Sequence, residues 1–197
     1  MDDLQSLLNE IRACRVCAED LDLGPRPVLS VRKTAKLLII GQAPGTKVHE
    51  TGIPWNDPSG DRLRQWLALD RATFYDADRV AIVPMGLCYP GRDKNGGDKP
   101  PRPECAPLWH DKILAHLPQL ELVLLVGGYA QKRYLGARAK RTMTETVRAW
   151  AEYQPLLWPL PHPSWRNTAW LKGNPWFEAD VLPRLRARVA ALVPSPV

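Results

Sequence analysis

The chain has 197 residues, with 27 Lys and Arg against 21 Asp and Glu and a net charge of +6. That length supports one substantial hydrophobic core rather than two, and no apolar run approaches the about 20 residues that a membrane-spanning helix needs. The mildly basic balance is compatible with a nucleic-acid partner through phosphate neutralisation, but does not require one.

In chain order, residues 1–18 read as a leading helix that ends at a C-x2-C pair, Cys14 and Cys17. The acidic start lacks the basic residues and apolar stretch of a secretory signal, which places the chain in the reducing cytoplasm and weighs against disulfides. Short apolar runs without clean alternation follow at 36–41 (KLLIIG), 79–85 (RVAIVPM), 121–127 (ELVLLVG) and 155–160 (PLLWPL). Such runs suit strands covered on both faces. Helical patterns lie between and after them, at 59–69 with Leu63, Trp66 and Leu67 on one stripe, at 103–117, 129–135, 142–150 and 176–192. Alternating strands and helices predict an α/β protein, a three-layer α/β/α arrangement around a central, mostly parallel four-stranded sheet. The expected organisation is a single domain over 1–197, with a cysteine-containing hook at 1–30 and a frayed tail at 193–197.

Cysteine occurs four times, at Cys14, Cys17, Cys88 and Cys105, the last two separated by sixteen residues rich in Pro, Gly and basic side chains. Two thiolates from a hook and two from a distant loop can close a tetrahedral cage for a [4Fe–4S] cluster or a structural zinc, since both accept four soft sulfur ligands. The spacing does not choose between the metals, and four unrelated thiols or two disulfides are the plainer alternatives. Basic residues gather inside this loop (Arg92, Lys94, Lys99, Arg102), again at 132–141, and at Arg184, Arg186 and Arg188, where a solvated helix face is the competing explanation. The 20 prolines stiffen loops. The eight tryptophans supply bulk for a core, and beside basic loops they can stack on bases.

In open parallel sheets ligands bind beyond the carboxyl ends of the strands, and the unusual residues of this chain fall there. GQAPG (Gly41, Gln42, Ala43, Pro44, Gly45) follows the first strand, the Cys88 segment the second, GGYAQ the third, and His162-Pro163-Ser164 the fourth. Between the first two lies GIPWNDPSGDRL, which carries Trp55 and Asp57 and opens a helix.

This ordered set, from about Cys14 to Asn167, resembles the uracil-DNA glycosylase superfamily, most closely its iron–sulfur class. The resemblance implies that Cys14, Cys17, Cys88 and Cys105 hold a 4Fe-4S cluster, with structural zinc as the alternative. It implies a DNA glycosylase that excises uracil or a related deaminated base from DNA, a monomer without membrane association. Within that reading Trp55 stacks on the flipped base, and His162 stabilises negative charge on the departing base. Gln42 and the backbone of Gly41, Ala43, Pro44 and Gly45 position base and water, and Ser164 lies near the base pocket or DNA backbone. Ala43 stands where the best-known uracil glycosylases carry a water-activating Asp, and Pro84 stands where an Asn reads the uracil edge. Asp57, where the iron–sulfur class has a small residue, either faces the pocket as a replacement acid or caps the helix that follows. His49, His110 and His116 read as surface or helix residues without a role. The alternatives are a non-catalytic damaged-DNA-binding protein on the same fold and a zinc-stabilised hydrolase of another nucleotide-like substrate.

Overall fold

The computed structural model describes residues 3–94 and 96–194. Four strands, β1 (Leu37–Ile40), β2 (Val80–Ile82), β3 (Leu122–Val126) and β4 (Leu157–Leu160), form one sheet in the order β2-β1-β3-β4. All three pairings are parallel, with Leu37 opposite both Val80 and Leu122, and Val123 opposite Leu157. The chain leaves β1 toward one neighbour and returns to its other side with β3, so the crevice where ligands bind such sheets opens beside β1. Ser30 adds one antiparallel bridge against Ile82 at the β2 edge.

Nine helices among the described residues surround the sheet: α1 (Asp3–Ala13), α2 (Thr46–Thr51), α3 (Pro58–Leu67), α4 (Arg71–Tyr75), α5 (Cys105–Ala115), α6 (Gly128–Leu135), α7 (Met143–Arg148), α8 (Thr168–Gly173) and α9 (Leu182–Leu192). Successive strand side chains point to opposite faces, and this alternation builds two cores. Leu38, Ile40, Val123 and Leu125 pack with Leu4, Ile11, Trp109 and Ile113 of α1 and α5. Leu37, Ile39, Leu122 and Leu124 pack with Leu63, Trp66, Leu185 and Val189 of α3 and α9. The result is a three-layer α/β/α fold around a four-stranded, wholly parallel sheet. None of the helices is long and apolar enough to cross a membrane, among the described residues.

Several boundaries differ from the sequence reading, each for a local reason. The leading helix stops at Ala13, so the C-x2-C pair lies in the turn beyond it, where the Arg15 guanidinium binds the carbonyls of Arg12 and Cys14. The second strand loses its regular ladder at Pro84, which has no N–H to give. Val83 and Met85 on either side still donate to Ile39 and Gly41 of the neighbouring chain segment. Pro159 is tolerated inside β4 because β4 is an edge strand. The helix expected from Pro103 starts at Cys105. The closing helix begins as a π-turn over Phe177–Val181, and Pro183 then opens α9 at the position where a missing N–H costs least. The short helices α2, α4 and α8 carry too few residues for a periodicity to show. The tail is anchored as far as it is described: Val193 is buried and the Pro194 carbonyl accepts from Arg79, while 195–197 lie outside the described residues.

Candidate active site

A cavity of about 440 Å³ opens beyond the carboxyl ends of the strands. Its walls come from the turn Gly41–Gly45 after β1, from Trp55, Asp57 and Ser59 at the start of α3, from Pro84 after β2, from the hairpin that carries Arg92 and Asp98, and from His162, Ser164 and Arg166 after β4. A volume of this size lies in the ordinary range for small-ligand pockets.

The Trp55 indole forms one wall. Its backbone is left-handed, at φ +56°, an uncommon state for a bulky side chain that surrounding contacts must hold. Two glycines make the room. A Cβ on Gly41 would stand 2.7 Å from Trp55 Cζ2, and a Cβ on Gly60 would stand 1.7 Å from the Trp55 carbonyl oxygen. The indole therefore lies against the bare backbone of the turn, with its ring centre 5.5 Å from the imidazole of His162 and the two planes inclined by 32°.

His162 is held by its own loop. The Ser164 N–H donates to Nδ1 at 3.2 Å, and the Asn167 side chain donates to the His162 carbonyl at 2.7 Å. An imidazole that accepts at Nδ1 carries its proton on Nε2 when neutral. Burial lowers the His162 pKa from its ordinary value, and the nearby Asp57 carboxylate opposes that shift in part. The ring is therefore a neutral imidazole with an N–H to donate.

Asp57 is the helix cap, and it also reaches the cavity wall. Oδ1 accepts from the Gly60 N–H at 2.8 Å and caps α3, while Oδ2 lies 4.0 Å from where a Gly45 Cβ would be, on the cavity wall. Gln42, expected to reach base or water, donates its amide to the Lys99 carbonyl at 3.3 Å. Pro84 lines the cavity, and its carbonyl accepts from His110 Nε2 at 3.0 Å, while His110 Nδ1 accepts from the Tyr134 hydroxyl at 2.6 Å. His110 is thus fully buried in the fold beneath the site rather than on the surface.

Sequence reasoning passed over Asp98 and Trp165. Asp98 sits in a short hairpin, bridged to Arg92, and no motif marks it. Burial of its carboxyl raises the pKa from its ordinary value, Arg92 and Arg166 pull it back, and Asp57 and Asp93 add to the rise. Trp165 is 74% exposed, follows Ser164 directly and has the Arg166 guanidinium over its ring at 5.6 Å; its place between HPS and a basic residue was the available signal.

The basic groups sort differently from their sequence grouping. Lys99 pairs with Asp22 at 3.1 Å, and Arg102 pairs with Asp20 at 2.7 Å and Glu104 at 3.1 Å, tying the loop to the N-terminal segment. Arg184, Arg186 and Arg188 bind backbone carbonyls of Asp180, Trp66 and Glu121, so this trio braces the fold.

A family model described as the Uracil DNA glycosylase superfamily matches residues 30–186, most of the chain and all of the cavity walls named above. The chain belongs to the uracil DNA glycosylase superfamily. Members of this superfamily generally hydrolyse N-glycosidic bonds of bases in DNA. The match begins after Cys14 and Cys17, so the class within the superfamily rests on other grounds. All four cysteines nevertheless line one small second cavity, with Ile11, Leu87 and Trp109 among its walls. Among the described residues no group of three or more His, Cys, Asp or Glu side chains is gathered around a single ion position. Burial first, and the neighbouring thiols after it, push Cys88 up to about 12 and Cys105 up to about 11. Backbone N–H groups of Arg26 and Leu87 point at these two sulfurs, the latter at 3.3 Å.

Proposed function

We propose that this protein is a monofunctional DNA glycosylase of the iron–sulfur class that removes uracil or a related deaminated base from DNA. The pairing of the Trp55 indole with a neutral, Nε2-protonated His162 at the sheet's carboxyl edge carries this reading. Breaking the glycosidic C–N bond leaves a cationic sugar and an anionic base. A base swung out of the duplex stacks on Trp55, and the His162 N–H donates to the oxygen on which the leaving base gathers charge. A neutral donor in a desolvated wall costs far less to bury than an imidazolium would, and its hydrogen bond strengthens as the anion forms. The Asp57 carboxylate faces the cavity and offsets the positive charge that grows on the sugar. Trp165, exposed beside the mouth, offers a second stacking surface for the neighbouring bases.

The four cysteines would hold the cluster, a reading that their soft donor set and their convergence on one buried cavity support. The backbone N–H groups directed at Cys88 and Cys105 are the contacts that stabilise ligating thiolates. When bound, the cluster would act as a structural clasp between the N-terminal turn and the loop before α5. Zinc is the alternative occupant, and a brown protein with stoichiometric iron and sulfide distinguishes the two.

The deciding experiment offers single- and double-stranded DNA carrying uracil, hypoxanthine or xanthine to purified, cluster-loaded protein. Release of free base is expected from at least one, with His162→Ala slower by about 10²–10³-fold, the usual effect of removing one such donor. Absence of release from all three would overturn the proposal. Ala43 and Pro84, which withhold two polar side chains from the pocket, favour a second reading as a damaged-DNA-binding protein. Salt-sensitive binding without turnover would select it.

A further inference from the structure

Ala43 leaves the turn after β1 without a carboxylate, yet hydrolysis of a glycosidic bond gains from a base that takes the proton of the attacking water. The structure offers a carboxylate from elsewhere. Residues 91–93 pair with residues 97–99: Arg92 and Asp98 form an antiparallel bridge, the Asp93 N–H donates to the Gly97 carbonyl at 2.7 Å, and the Lys99 N–H donates to the Gly91 carbonyl at 2.9 Å. Two parts of the candidate active site grip this hairpin. Gln42 of the β1 turn binds the Lys99 carbonyl, and Arg166 of the His162 loop binds the Gly96 carbonyl at 2.9 Å. Asp98 lies between these grips and lines the cavity.

Its carboxylate has a defined neighbour. Asp98 Oδ2 stands 3.6 Å, and Asp57 Oδ2 4.0 Å, from the point where a Cβ of Gly45 would be. The two carboxylates thus flank one spot on the turn. Asp57 is committed through Oδ1 to the N-terminus of α3. Among the described residues, no hydrogen bond or ion pair engages the Asp98 carboxylate.

We propose that Asp98 is the general base of the reaction, supplying from the hairpin the carboxylate that position 43 lacks. This rests on the glycosylase reading above. The Asp98 carboxylate accepts a proton from water, and the water oxygen bonds to C1′ of the sugar. The C1′–N bond breaks, and its electron pair leaves with the base, whose negative oxygen the His162 N–H stabilises. The products are an abasic sugar with a C1′ hydroxyl and the free base, which is neutralised by the proton that Asp98 took up. Gln42 and Arg166 are positioning residues that hold the hairpin over the turn.

The test is single-turnover excision by wild type, Asp98→Asn, Asp98→Ala and Asp57→Asn, with affinity for the same DNA measured in parallel and formate added to the Ala variant. The expected result is a loss of about 10²–10⁴-fold in the excision step for Asp98→Asn, with affinity retained, and recovery of rate in Asp98→Ala as formate replaces the missing carboxylate. Wild-type activity with an unchanged rate in Asp98→Asn would overturn the assignment and leave the glycosylase reading standing. Loss without formate recovery, or loss traced to weaker DNA binding, would also overturn it. A wild-type protein that releases no base removes the functional reading itself, and this assignment with it.

Discussion

The backbone carbonyl of Trp55 occupies the space that a side chain at Gly60 would need: a Cβ there would lie 1.7 Å from the oxygen. Gly60 also donates its N–H to Asp57, so one residue seats both the stacking indole and the capping carboxylate. Gly60→Ala must push the chain out of this fit. Overpacking of this kind costs about 1–3 kcal/mol, and for a chain of this size each kcal/mol lowers Tm by roughly 2–4 °C. A thermal melt of the variant shows that drop, and base release falls with it because Trp55 moves off its wall.

Trp165 provides a contrast. Its side chain is 74% exposed and packs into no core cluster. Trp165→Ala should leave Tm unchanged, while affinity for DNA falls by the worth of one base–aromatic stack, about 1–3 kcal/mol or roughly 5–150-fold. Fluorescence anisotropy against single- and double-stranded DNA measures the loss. Equal affinity in the two proteins would remove Trp165 from the DNA-contacting surface.

His110 makes stability depend on pH. Desolvation first, and the Arg133 charge in part, hold its pKa down at about 4, against 6.5 for the exposed group. The unfolded chain therefore binds a proton that the native protein refuses as pH falls from about 6.5 to about 4, and native stability falls across that window. The loss is on the order of 3 kcal/mol when the window is fully crossed. Urea unfolding at pH 7 and pH 4.5 reads it, and in His110→Gln the difference between the two pH values shrinks.

Replacing Cys88 or Cys105 by Ser tests the clasp. Each variant should lose visible absorbance and bound iron together. Melting temperature should drop with them, because ligation that forms only in the native state adds its binding free energy to folding. A colourless wild-type protein with one zinc per chain would replace the cluster by zinc, and a metal-free wild type of unchanged stability would remove the clasp.

The legible part of the molecule was the part set by short-range rules. The apolar runs at 36–41 and 121–127 read as buried central strands, and β1 and β3 are the two innermost strands. Leu63, Trp66 and Leu67 read as one stripe, and all three are buried. Asp57 read as a cap or a pocket acid, and its two oxygens serve the cap and the pocket wall. Where the reading slipped, a neighbour outside the local window decided. Lys99 and Arg102 read only as part of a basic cluster, and their partners Asp22 and Asp20 come from the N-terminal segment. His110 read as a surface or helix residue; it lies in α5, buried, with Pro84 beyond β2 and Tyr134 of α6 closing over it.

Periodicity, capping and glycine placement act over a few residues, so the sequence by itself determined the α/β alternation, the turn at Gly41–Gly45 and the start of α3. The sheet order β2-β1-β3-β4 is set by how whole layers bury their apolar faces, a balance over both cores that no local pattern encodes. The sequence already placed Trp55 and His162 at one edge; that order set their contact and carried Asp98 to Gly45, since each pair joins segments that meet only when separate strands end on the same edge.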